Sequence, residues 1–434
     1  MEEILARAQK AAKEAEVFEV TSEETQVKFD ANRLKHMETT QSTSVALRII
    51  KDGKIGYATS TGITDGQQLV KDAVETAAFG TEAKFSLPYN SIYPKVDIYD
   101  AATPQVAIND TVALGNKMVA AVTAHTAGIL CYASIARSVM TVRIINSRGG
   151  KAEYKKAFFS IDLEGHLING TDMLFVWDSE SSCHPILDPK PIIDTVIRQL
   201  EWAKEKAKAS TKVLPVIFTP YGVASALVYP LITALNGKVV YEGASPLGDK
   251  AGQQVFDKNF NLCDDPTIAY QPASRPCDDE GVSSQRTELI EEGVVKGFLY
   301  DLQTAGKAGK KSTGNGNRSR GSLPTISPSA LVIDPGTATF DAMVSDIKEG
   351  LVIEQLMGSE QGNVLGGDFS GNVLLGYKIE KGKIAGRVKD TMVSGNVYQI
   401  LKDIAAIGSE ARWVGSFLQT PPIYCKGLSV SSKG

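Results

Sequence analysis

Residues Ser44–Gly62 read SVALRIIKDGKIGYATSTG. Val45, Leu47 and Ile49 alternate with their neighbours, Asp52-Gly53 is a turn pair, and Ile55–Ala58 leaves the turn, so the stretch is an antiparallel hairpin. Upstream, Val27 and Phe29 keep the same period of two. Before them Ile4, Leu5, Ala8, Ala11, Ala12 and Ala15 recur at helical spacing, with Glu and Lys on the other face. Downstream, Leu69, Val70, Ala73, Val74 and Ala77 give a second helix over Gln67–Phe79. Gly80 follows where a helix end favours a residue tolerant of positive φ. The unit is therefore helix, strands, helix.

A second unit repeats the plan. Ser86–Pro104, with three prolines and no period, is a connector. Ala113–Ala124 is helical in pattern, Met140, Val142 and Ile144 alternate, Asn146–Gly150 is a turn, and Pro191–Ser210 is a helix rich in Lys and Glu. The two units share little residue identity, so a duplication and a merely common architecture both account for the repeat. A boundary falls at 209–213. Beyond it, short runs separated by Gly, Pro, Asn and Asp indicate a β-rich domain, with helices expected at Gly222–Asn236, Thr339–Lys348 and Val397–Ile407. Gly306–Pro328 is too long for a tight connection and reads as a functional loop or as local disorder. The fold class is α+β, organised as two helix/antiparallel-strand/helix units (1–100 and 101–211) followed by a large, mostly β domain (212–434).

At 434 residues, and roughly 150 residues per domain, the chain has room for about three domains or one large one with an extension. The apolar content, 43%, excludes whole-chain disorder. Lys plus Arg number 46 against 50 Asp plus Glu, so the net charge of −4 gives no global field for nucleic acid or an anionic membrane. Met1–Lys13 lacks the apolar stretch of a signal peptide, which points to the cytoplasm. The apolar run Ala224–Leu235 contains Ser225, Pro230 and Thr233 and falls short of the roughly 20 residues of a membrane span. Cys131, Cys183, Cys263, Cys277 and Cys425 are scattered without a C-x-x-C pair, which argues against a disulfide scaffold or a zinc ribbon.

Few motifs carry chemistry by themselves. No two of His36, His125, His166 and His184 are spaced as in H-E-x-x-H. Cys183-His184 is the best nucleus for a composite zinc site, but adjacent side chains rarely converge on one ion, and the pair suits a strand end or loop. GKAGKKST, Gly306–Thr313, fails as a phosphate loop because Thr304 holds the first Gly position and Lys311 replaces the Ser or Thr that binds magnesium. GNGNRSRG, Gly314–Gly321, offers amides and two guanidinium groups to an anion, or is a solvated basic loop. Asp264-Asp265 and Asp278-Asp279-Glu280 read as turn and loop-ordering residues rather than acid/base pairs. No G-x-S-x-G elbow is present.

A resemblance comes from strings in a fixed order: DDEGVSSQRTELIEEGVVKGFLYD from Asp278, STGNGNRSRG from Ser312, GGDFSGNVLLGYKIEKGKIAGRV from Gly366 and SGNVYQIL from Ser394. With the Ser44 and Val142 (VRIINSRGG) stretches, they cover nearly the whole chain, which resembles the PmbA/TldE branch of the TldD/PmbA family. The resemblance implies a pair of subunits, one a TldD-type zinc metallopeptidase and one TldE-type, enclosing a cavity where small unfolded peptides are degraded or matured. The TldD type carries a helix with H-E-x-x-x-H and a cysteine ligand nearer the C-terminus. The corresponding stretch here, Tyr221–Lys238 (YGVASALVYPLITALNGK), has neither His nor Glu, and Gly415–Thr420 (GSFLQT) has no cysteine; Cys425 lies beyond, in a terminal apolar strand.

On this resemblance the chain is expected to have no catalytic or metal-binding residues of its own, zinc being held by the TldD-like partner of a heterodimer; a homodimer is the other assembly. Candidate peptide or partner contacts are Gly314, Asn315, Gly316, Asn317, Arg318 and Arg320, and Gly367, Asp368 and Phe369. Direct contact with nucleic acid or a membrane is not expected. The alternatives are a self-sufficient homodimeric metallopeptidase with an unrecognised metal site, and a non-enzymatic peptide-binding modulator, as the family's gyrase-modulator label suggests.

Overall fold

The computed structural model describes residues 1–62, 66–89, 92–319 and 322–433. The fold is α+β. Helix α1 (Glu2–Ala11) leads into strands β1 (Glu14–Asp30), β2 (Arg33–Lys51) and β3 (Lys54–Thr61), and α2 (Gly66–Ala77) closes the unit. The plan repeats as α3 (Ile108–His125), β4 (Leu130–Asn146), β5 (Lys151–Asn169), β6 (Asp172–Ser182) and α4 (Lys190–Trp202). Both units join one antiparallel sheet, ordered β3-β2-β1-β4-β5-β6, with β1 against β4 at its centre.

Side-chain alternation gives this sheet two different faces. Val17, Leu47 and Ile49 pack with α1 and α2, while Val27 and Phe29 pack with α3 and α4. Val17 and Phe29 share a parity along β1, so all four helices lie on one face. The opposite face, carrying Phe18, Ala46 and Ile144, meets Cys277 of the C-terminal body. That helix-free face decides where a site can form.

The C-terminal strands run in chain order as β7 (Lys206–Ala207), β8 (Lys212–Phe218), β9 (Leu262–Asp264), β10 (Thr287–Glu291), β11 (Val294–Val295), β12 (Gly316–Asn317), β13 (Thr325–Ile326) and β14 (Leu331–Ile333). They continue as β15 (Glu349–Met357), β16 (Asp368–Glu380), β17 (Lys383–Val388), β18 (Thr391–Asn396), β19 (Ile404–Ile407), β20 (Arg412–Val414), β21 (Leu418–Thr420) and β22 (Ile423–Ser432). Pairings β15-β8-β22-β18-β16 return from β16 to β15, closing a barrel and removing its edges. Val216, Phe218, Ile353, Phe369, Val393 and Cys425 are buried in the same core. A second sheet, β11-β10-β9-β14-β21-β20, flanks the barrel. Barrel residues Val352, Leu375 and Tyr377 belong to the core that also holds α3 and α4, so the halves share a hydrophobic seam.

Three expectations are corrected. The helix expected over Pro191–Ser210 stops at Trp202, because Lys206–Ala207 pair in parallel with Arg387–Val388. The helix expected over Val397–Ile407 ends at Ile400, and Ile404–Ile407 become a strand against Ile423–Cys425. Gly80 does not serve as a positive-φ cap: a Cβ there would run into the Ile55 carbonyl oxygen, so close backbone approach requires glycine. The Gly222–Asn236 expectation is met by α5 (Pro220–Val223), a π turn (Ala224–Val228) and α6 (Tyr229–Ala234).

Candidate functional site

A groove separates the helix-free face of the N-terminal sheet from the C-terminal body. Its floor is Phe158, Ser160 and Asp162 of β5 with Ser179 and Ser181 of β6; its far wall is Tyr270, Arg412 and Trp413. The cavity measures about 600 Å³. It shares Asp162 and Ser179 with a wider cavity of about 1060 Å³ that runs past Trp177 toward Tyr132 and Lys35. Further cavities of about 650 and 570 Å³ meet at Tyr221. The four surround one polar post.

The post is Asp178, Tyr221 and Arg412. Asp178 is 1% exposed, yet its Oδ1 accepts from Tyr221 Oη at 2.9 Å, from Arg412 Nη2 at 2.7 Å and from the Ser179 amide at 2.9 Å. An ion pair with three donors is a stable way to bury a carboxylate. Arg412 also lies over the Tyr221 ring at 5.4 Å, and Trp177 meets that ring edge-on at 5.3 Å. Burial and the Asp178 charge both raise the Tyr221 phenol, so it stays a donor. On the groove floor, Asp162 is crowded by protein and pushed up to about 6, chiefly by desolvation, with the Asp178 charge adding.

The sheet edges beside the groove are unequal. Two outward amides of β6 are occupied: Trp177 N–H donates to Gln199 Oε1 at 2.9 Å and Ser179 N–H to Asp178. At the opposite end of the sheet, Tyr57 N–H of β3 donates to Thr76 Oγ1. Strand β20 ends its own sheet, pairs on one side with β21, and lends Arg412 and Trp413 to the groove wall.

The residues singled out from sequence lie elsewhere and are held internally. Asn315 is buried and donates to Asp264 Oδ2 at 2.6 Å, the Gly316 amide donates to Asp278 Oδ2 at 2.8 Å, and Asn317 pairs with Thr325. Arg318 donates to Glu16, to the Asp279 backbone carbonyl and to the Ser322 carbonyl. Gly314 has φ 79° and packs on Ser283. Arg320 lies outside the described residues. Gly367 has φ 85°, and a Cβ there would meet the Tyr398 ring at 2.5 Å. Phe369 is a barrel core residue edge-on to Phe218, and exposed Asp368 accepts from Asn396 Nδ2.

The acidic triplet does more than order a turn. Arg48 bonds Glu280 at 2.5 Å and Glu16 at 3.1 Å, Arg318 also bonds Glu16, and Arg275 bonds Asp279 at 3.3 Å, all buried. This network ties the N-terminal sheet to the C-terminal body.

Zinc does not fit the helical stretch 220–234. Its polar side chains are Tyr221, held by Asp178, Ser225, which donates to Gly222 O and accepts from the Leu356 amide, Tyr229, and Thr233, which bonds Tyr229 O. None is a ligand type for a tetrahedral zinc site, and the Arg412 charge beside Tyr221 repels a dication. Cys425 is buried in β22 opposite Val216. At Cys183-His184, the thiol is buried while the imidazole bonds Asp100 at 2.6 Å and stacks on Tyr270. Among the described residues no three His, Cys, Asp or Glu side chains are grouped to hold a metal, and no helix is long and apolar enough to cross a membrane.

Residues 211–432 match the family model described as the PmbA/TldA metallopeptidase C-terminal domain, and residues 15–78 match PmbA/TldA metallopeptidase domain 1. An uncharacterized protein of Methanocaldococcus jannaschii is 29% identical across 93% of this chain and 93% of its own. A metalloprotease PmbA homologue of Haemophilus influenzae is 25% identical across 98% of this chain and 93% of its own. Among solved structures, TldE from Thermococcus kodakarensis gives a TM-score of 0.91 over 100% of both chains at 23% identity. A Thermotoga maritima protein described as a candidate modulator of a DNA gyrase gives 0.87 over 99% and 100% at 22% identity. At such identities the structural likenesses speak to the fold alone.

Proposed function

The chain belongs to the PmbA/TldD metallopeptidase family, and from that premise we propose that it is a TldE-like, non-catalytic subunit of a cytoplasmic two-subunit peptidase. In this reading a TldD-type partner holds the zinc, and this chain shapes the chamber and holds a small unfolded peptide for proteolysis or maturation. The observation that carries it is the helical stretch 220–234, whose polar side chains Tyr221, Ser225, Tyr229 and Thr233 include no His, Cys, Asp or Glu and of which Tyr221, Ser225 and Thr233 are held by Asp178 and backbone. Without a metal-activated water the Lewis-acid route to peptide hydrolysis is closed to this chain.

The groove supports the second half of the reading. A peptide lying along β20 adds a strand to that edge, which binds backbone with little regard to sequence. Tyr270 and Trp413 supply apolar wall, and Ser160, Ser181 and Asp162 supply polar floor. The test is to purify this chain and a TldD-type subunit from the same genome, separately and mixed, and follow cleavage of an unfolded peptide alongside size-exclusion elution. Activity confined to a co-eluting mixture is expected. Cleavage by this chain alone at the rate of the mixture would overturn the reading.

A further inference from the structure

The cavity of about 650 Å³ that adjoins the groove at Arg412 contains two groups the rest of the fold leaves unmatched. Arg198, on α4, lies over the Trp202 ring at 5.3 Å and has no ion-pair partner among the described residues. Glu354, on β15, is 3% exposed. Its Oε2 accepts from Thr219 Oγ1 at 2.9 Å, whereas Oε1 has no hydrogen-bond partner. A buried oxygen left unbonded costs on the order of 1–3 kcal/mol unless a ligand completes it. Trp202 and Phe340, stacked with planes 10° apart, form the apolar wall.

Stacking holds a guanidinium by its face and leaves its edge N–H groups free for a planar, two-oxygen acceptor. Arg412 adds a second cation at the mouth, its Nη2 already bonded to Asp178. We propose that this cavity takes the C-terminal carboxylate of a peptide lying in the groove, gripped by Arg198 and completed by Glu354. The assignment rests on the peptide-holding reading above. Burial raises the Glu354 carboxyl against the Thr219 hydrogen bond and the Arg198 and Arg412 charges, and a bound carboxylate would add a like charge beside it, so Oε1 is placed to take up a proton on binding and donate it to the second carboxylate oxygen. Exposed Asp341 and Glu410 line the same cavity and repel further negative charge, so the favoured peptide ends in a neutral or basic residue.

The experiment is isothermal titration of the full chain with N-acetyl-Ala-Ala-Phe as the free acid and as its C-terminal amide. The acid is expected to bind at least about 10-fold more tightly, a difference of about 1.4 kcal/mol. Arg198→Gln should reduce the acid to the affinity of the amide, Arg198→Lys should keep part of the preference, and both should unfold at the wild-type temperature, since Arg198 is a surface residue. Glu354→Gln should weaken the acid more than the amide. Equal binding of acid and amide, or a preference that survives Arg198→Gln, overturns the carboxylate assignment and leaves the peptide reading standing. Binding of neither peptide at millimolar concentration overturns both.

Discussion

Two buried charge clusters join the halves of this molecule, and they are built differently. In the network of Glu16, Arg48, Asp279, Glu280, Arg275 and Arg318, each carboxylate meets a guanidinium inside protein. In the cluster around Asp178, Tyr221 and Arg412, the ion pair is only half covered. Arg412 keeps 34% of its side chain exposed, and cavities open on every side. Beside it stand Arg198, with no ion pair among the described residues, and Glu354 Oε1, with no hydrogen-bond partner among them. The same residue types therefore stand in two settings: closed on themselves they fasten domains, and left open at a groove they are the groups that the proposed peptide site would use.

The largest effect that would break this contrast is expected at Arg318. Arg318→Ala leaves the buried Glu16 carboxylate with Arg48 alone and the Asp279 and Ser322 carbonyls without their guanidinium donor, and urea denaturation should show a loss of about 3 kcal/mol. A loss below about 1 kcal/mol would mean that the network fastens nothing.

Next is pH. The Asp278 carboxyl is pushed up to about 8, first by burial and then by the Glu280 charge, with Arg275 and backbone donors opposing. The unfolded value is near 3.9. Between about pH 4 and pH 8 the folded chain thus keeps a proton that the unfolded chain has released, so stability falls as pH rises through that window and levels off above it. Asp278→Asn should flatten the thermal midpoint across that window; an unchanged slope would remove Asp278 from the cluster's charge balance.

Tyr221→Phe deletes one of three donors to Asp178 and is expected to cost about 1–2 kcal/mol, with peptide binding weakened through Arg412. The smallest effect sharpens the contrast most: Arg198→Gln should change stability by less than about 0.5 kcal/mol while abolishing the preference for a free carboxylate. A substitution that costs binding and no stability is the signature of the open cluster.

Much of the fold was legible because its signals are local. The Ser44–Gly62 hairpin follows from alternation and one Asp-Gly turn, and the β2–β3 register matches it. The failures came where distant pairing overruled a local period. Lys206 and Ala207 extend a helix-like Lys/Glu run, but β17 takes them as a strand. Ile404 and Ile407 sit three apart, as on a helix, yet β22 pairs them. The site was far less legible. Asp178 stands 43 positions from Tyr221 and 234 from Arg412, and no spacing rule links them. The glycine-rich stretch 314–321 suggests an anion site through its amides and two arginines, but the Gly316 and Arg318 amides bind the chain's own Asp278 and Asp279. The local hint of the candidate site was negative: Tyr221–Lys238 has no His and no Glu.

The central claim, that this chain holds peptide but not the metal, is tested most directly by elemental analysis of the purified chain after incubation with zinc and dialysis. The account expects zinc at background, because the helical stretch 220–234 offers only Tyr, Ser and Thr hydroxyls, those of Tyr221, Ser225 and Thr233 already committed to Asp178 and backbone. Retention of about one zinc per chain, at the affinity of a built three- or four-ligand site, would contradict it.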